Sequence, residues 1–192
     1  MAELPRAAQI TALHDGQAAP PDAHGALWQA IAENHRRNGE LWDQEDLARR
    51  PNVPDSEIAG NKRAIDRLNQ QRNDAIERID ELLLGALAAV ERRPGARQSS
   101  ETAGAMIDRL SILSLKIRHM RLQTRRSDVD AEHIRACQAK LERLIEQRVD
   151  LAACFDRLID EAQRGESFFK VYRQFKMYND PALNPAIYGA KR

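Results

Sequence analysis

Apolar residues recur along this chain at three- and four-residue spacing and almost nowhere alternate, the period of a helix rather than a strand. From about His24 to Arg50 the stripe is Trp28, Ile31, His35, Asn38, Trp42 and Glu45. Pro20-Pro21-Asp22 precede this predicted helix and Pro51 stops it. A second helix is predicted from a cap at Asp55 or Ser56 to about Val90, ended by Pro94-Gly95. A third, capped by Ser99 or Ser100, runs to about Thr124. Its Met106, Leu110, Leu113, Ile117 and Met120 are spaced 4-3-4-3, the seam of a helix laid along a neighbour. The fourth runs from about Val129 to Gln163 and stops at Gly165. Its stripe is Ile134, Cys137, Leu141, Leu144, Arg148, Leu151, Phe155 and Leu158.

These patterns predict an all-α fold: an antiparallel bundle of four long helices over residues 24–165, with an N-terminal extension over 1–23. Residues 166–192 differ in kind. Six of the chain's seven Phe and Tyr residues fall within 21 positions there. So aromatic a segment is expected to pack across the bundle, or against another subunit of a homo-oligomer.

The second helix carries a feature that plain amphipathicity does not require. Lys62, Asp66, Asn69, Asn73, Glu77 and Asp80, spaced 4-3-4-4-3, form a continuous polar stripe. Beside it lies the apolar stripe Ile65, Leu68, Ile76, Ile79 and Leu83, into which Arg72 intrudes. Polar residues also sit in or beside the seams of the other helices: His35, Asn38, Glu45, Asp108, Arg109, Lys116 and Arg148. Buried charges cost several kcal/mol each unless paired, so a convergent seam would point to binding or catalysis. The bland alternative is a set of solvated i,i+4 pairs.

Composition narrows the chemistry. The chain has 192 residues, 42% hydrophobic and 31% charged, with a net charge of +1. That is globular, and it implies no nucleic-acid or membrane-surface partner. The longest apolar run, Leu82–Val90, is far short of the ~20 residues of a membrane span. The N-terminus lacks a secretory signal, so a cytoplasmic location is expected. Cys137 and Cys154 lie on one helix about 25 Å apart and cannot pair; both are expected to be buried thiols.

No Glu-x-x-His pair, phosphate-binding glycine loop, Gly-x-Ser-x-Gly or Cys-x-x-Cys is present, so no cofactor is expected. Lys62, Asn69, Arg72, Asn73, Arg109, Lys116 and Arg148 are candidate ligands for an anionic group, because guanidinium and ammonium groups chelate oxyanions. Glu77, Asp66 and Asp108 are candidate acid/base or orienting residues. An alternative is a magnesium-dependent all-α phosphohydrolase acting on nucleotides or nucleotide sugars, using Glu45, Asp46, Glu77 and Asp80.

Four stretches, "LWDQEDLARR" (41–50), "IAGNKRAIDRLNQQRNDAIERID" (58–80), "ETAGAMIDRLSILSLKIRHM" (101–120) and "YRQFKMYNDPALNP" (172–185), resemble the bacterial family catalogued as domain of unknown function 4254, over about residues 25–188. Ala103 stands where the family pattern has Pro. The resemblance implies a gene neighbourhood of surface-polysaccharide glycosyltransferases. It further implies an accessory protein of lipopolysaccharide or surface-glycan biosynthesis, binding an anionic sugar or nucleotide sugar or a partner glycosyltransferase.

Overall fold

A computed structural model describes residues 4–19, 25–173 and 180–189. Helices α1 (Ala7–His14), α2 (Ala26–Leu47), α3 (Asp55–Ala86), α4 (Ala103–Gln123), α5 (Ala131–Gln163) and α6 (Pro185–Tyr188) dominate it. The fold is all-α in class. The four long helices match the four periodic segments to within a few residues. Their caps differ in detail: Pro54 precedes α3 with Asp55 already in its first turn, and Thr102, not Ser99 or Ser100, caps α4 by accepting from the Ala105 N–H.

Helix α4 is central. It contacts α1, α2, α3 and α5, whereas α2 lies chiefly along α3. Helix α5 approaches α4, α1 and β2, and among the described residues its backbone comes close to neither α2 nor α3. The main core joins Ile31, Ile79, Leu83, Ile107, Leu110, Phe155 and Ile159. Leu41, Ile65 and Leu68 form a smaller cluster between α2 and α3.

Helix α3 meets α4 closely at Gly104. A Cβ there would lie 2.6 Å from the Ile76 carbonyl oxygen and 2.8 Å from the Asp80 carboxylate. Asp80 Oδ1 accepts the Gly104 N–H at 2.6 Å, satisfying one of the free donors at the start of α4.

Two elements have no counterpart in the periodicity. The first is α1, within the segment expected as an extension. Leu4, Ala7 and Ile10 belong to the main core, and Asp156 of α5 accepts the Ala7 N–H at 2.9 Å. The second is a parallel pair, β1 (Arg97–Gln98) with β2 (Ser167–Phe168). Here the loop after α3 and the start of the tail, both expected to lack strands, exchange backbone hydrogen bonds. The turn into β2 needs glycine. Gly165 has φ +71°, and a Cβ there would lie 2.2 Å from the Glu91 carbonyl oxygen.

Among its described residues the aromatic tail packs at its start. Phe169 is buried, and Phe168 lies under Arg92, whose guanidinium is 4.1 Å from the ring centroid. Tyr172, Leu183 and Ile187 are exposed. Phe175 and Tyr178 lie outside the described residues. Cys137 is buried as expected. Cys154 is exposed, a correction: Phe155, one position on, takes the buried side of the helix. Among the described residues no helix is long and apolar enough to cross a membrane.

Candidate functional site

The polar seam divides into a closed buried network and an open groove, and Arg72 stands where they meet. The network is built on α2 and α4. Asn34 and Asn38, one helical turn apart, each donate from Nδ2 to Asp108 Oδ1 at 2.9 Å. Asn38 also reaches Ser111 Oγ at 3.0 Å, and Ser111 Oγ lies 2.8 Å from His35 Nδ1. All four of Asn34, Asn38, Asp108 and Ser111 are buried. The shared Asp108 oxygen makes the cluster affordable, because every buried amide finds a charged acceptor.

The network continues to α1. The His35 ring stacks on His14, centroids 4.5 Å apart. His14 is buried and neither ring nitrogen has a hydrogen-bond partner. Burial first, then the neighbouring His35 and Arg148 charges, lowers its pKa to about 3, so it is neutral at pH 7. Burial also lowers the pKa of His35, against the opposing hydrogen bond that its ring makes to the His14 backbone. Just beyond, Arg148 Nη1 donates to both Asp15 carboxylate oxygens at 2.7 and 2.9 Å and to Ser114 Oγ at 3.1 Å. Arg148, the one polar member of the α5 stripe, is therefore committed to a largely covered ion pair that fastens the end of α1.

The open part is a groove along α4. One cleft of about 350 Å³ is lined by Asn38, Trp42, Glu45, Asn69 and Arg72 among others. Arg72 Nε lies 3.9 Å from Asp108 Oδ1, beyond hydrogen-bond reach, and it has no hydrogen-bond partner. A second cleft of about 640 Å³ shares Trp42 and Asp46 with the first and adds Lys116, His119, Lys140 and Arg143. Trp42 stacks on His119 at 4.3 Å, and its indole N–H is likewise unpartnered.

The other candidates scatter. Lys62 and Asp66 pair with each other at 2.8 Å on an exposed turn of α3. Arg109 is exposed, holds Glu101, and lines a different cleft from Arg72. Glu77 is half-buried with Arg173 3.6 Å away. Asn73 is buried. The polar stripe of α3 thus winds from solvent at Lys62 to the interior at Asp80, because the helix changes neighbours along its length. Of that stripe only Asn69 lines the first cleft, beside Arg72, the residue that intrudes into the neighbouring apolar stripe.

The alternative carboxylate set is not assembled. Glu45 is engaged by Arg49 at 2.6 Å, Asp46 is exposed, and Asp80 caps α4. Burial raises the Asp80 pKa to about 6, although hydrogen bonds from Thr102 and Gly104 oppose that shift. Among the described residues no three His, Cys, Asp or Glu side chains are placed to hold a metal ion. The described residues do not fit a magnesium site.

Sequence reasoning picked out His35, Asn38, Asp108 and Arg148 but missed Asn34, Ser111, Ser114, His14 and Asp15. The available signal was spacing: Asn34/Asn38 at four and Asp108/Ser111/Ser114 at three are single-face placements.

Fold and site together define an all-α protein whose core holds a buried polar network beside an open, basic groove. The sequence model of the family described as "Protein of unknown function (DUF4254)" matches residues 28–171, and the chain belongs to that family. The match includes three of the four resembling stretches; Tyr172–Pro185 lies beyond it. No curated protein and no solved structure matches the chain.

Proposed function

We propose that this protein binds a phosphorylated or carboxylated sugar, or a nucleotide sugar, in the cleft between α2, α3 and α4. It would act as a cytoplasmic accessory protein of surface-glycan assembly, alone or with a glycosyltransferase. The observation that supports this most is Arg72: the residue lines the cleft, its Nε is buried without a hydrogen-bond partner, and the buried Asp108 carboxylate 3.9 Å away holds the guanidinium in place. A bidentate oxyanion is the ligand such a group suits. Asn69, one turn earlier, offers an amide to sugar hydroxyls. Asp108 is a positioning residue in this reading. The surface-glycan context rests on the family resemblance alone.

Calorimetric titration with UDP-glucose, glucose 1-phosphate and glucuronate tests it. Binding that Arg72→Ala abolishes and Arg72→Lys partly restores is expected. Wild-type protein that binds none of the three would overturn the reading. Phosphate release with Mg²⁺ would instead favour a hydrolase.

A further inference from the structure

We propose that the groove between α4 and α5 is the contact face of a symmetric dimer of this chain. Helix α5 is 33 residues long, yet among the described residues α4 is the one long helix its backbone approaches. The groove this leaves comprises the 640 Å³ cleft and a further one of about 660 Å³, joined through Lys116 and Gln147, which line both. Together they exceed the ~300–1,000 Å³ of a small-molecule site, and the Arg72 cleft suffices for the ligand proposed above. The apolar lining of this longer groove, Met106, Ile112, Leu113, Met120, Leu144 and Leu151, suits a helix laid into it.

Charge order identifies the occupant. The α5 wall carries Lys140, Arg143, Leu144, Gln147, Asp150 and Cys154 on one face, spread over roughly 21 Å of helix. Lys140 and Asp150 have no ion-pair or hydrogen-bond partner among the described residues. A uniformly acidic or basic partner helix would meet like charge at one end. An antiparallel copy of α5 meets opposite charge at both. With the two-fold axis near Glu146, Asp150 of the second copy falls between Lys140 and Arg143, and the symmetry repeats the contact. That self-complementarity is what a two-fold interface requires. The two α4–α5 hairpins then face each other as a four-helix layer.

Light scattering across a concentration series reads the outcome. A particle of twice the 21.8 kDa chain mass is expected. Lys140→Glu or Asp150→Lys alone should weaken the dimer about tenfold or more, and the double reversal should restore it. Both residues are exposed, so circular dichroism should be unchanged. A monomer at every concentration, a dimer indifferent to the reversals, or a double variant no tighter than the singles would overturn the proposal. Sugar binding at Arg72 is read separately, so either proposal can fail without the other.

Discussion

Arg72 and Asp108 stand 3.9 Å apart at the boundary between solvent and core. Arg72 reaches them from the cleft on α3, while Asp108 is already spent on two buried amides from α2. The carboxylate thus holds the core on one side and sets the electrostatics of the cleft on the other.

Asp108→Ala is therefore expected to be costly. It leaves the Asn34 and Asn38 amides buried without their acceptor and Arg72 without a counter-charge. Unpaired buried polar groups cost about 1–3 kcal/mol each, so a loss of about 3 kcal/mol is expected in urea denaturation. Asp108→Asn keeps one acceptor oxygen and should cost less. Equal losses for the two variants would show that the network contributes little.

Acid should act on this protein through two opposed groups. The folded pKa of His14, about 3, lies below its ordinary 6.5. The folded state binds fewer protons than the unfolded chain between those values, and stability falls by about 1.4 kcal/mol for each pH unit below 6.5. Asp80 has the opposite sign. Its pKa is raised from 3.8 to about 6, so acidification through that window adds stability. The two offset each other between about pH 4 and 6. Asp80→Asn keeps the acceptor for the Gly104 N–H and removes the offset, so its urea midpoint should fall more steeply with acid than that of the wild type. His14→Phe keeps an aromatic face against His35 and leaves Asp80 unopposed, so its urea midpoint should hold or rise as the pH falls from about 6 to 4. Parallel pH curves for all three proteins would refute this assignment.

The Asp15–Arg148 pair should behave as a buried ion pair, since about 85% of each side chain is covered. Asp15→Asn strands the guanidinium and is expected to cost about 3 kcal/mol. Adding Arg148→Met should recover much of that loss, because the uncompensated charge goes with it. A double variant as unstable as the sum of the two singles would mean the residues act independently.

Four long helices and the all-α class were legible in the sequence because their apolar stripes run for many turns. Asn34–Asn38 and Asp108–Ser111 were present as spacings but did not stand out, since short polar residues on a helix are ordinary until something buries them. Helix α1 was invisible for another reason. Eight residues carry too few turns to show a period, and this helix is held by Asp156 and the Arg148–Asp15 pair from elsewhere in the chain.

Local sequence, then, determined where the long helices lie, because period and punctuation are properties of neighbouring residues. The polar stripe of α3 was equally plain in it: Lys62, Asp66, Asn69, Asn73, Glu77 and Asp80 share a strip of helix surface whatever surrounds them. Which part of that strip faces water, a cleft or the core was decided only by tertiary packing. Helix α3 passes from lying beside α2 to meeting α4 at Gly104. Desolvation and partners change along that path, so residues of one stripe become a solvated pair at Lys62–Asp66, a cleft wall at Asn69 and a buried helix cap at Asp80.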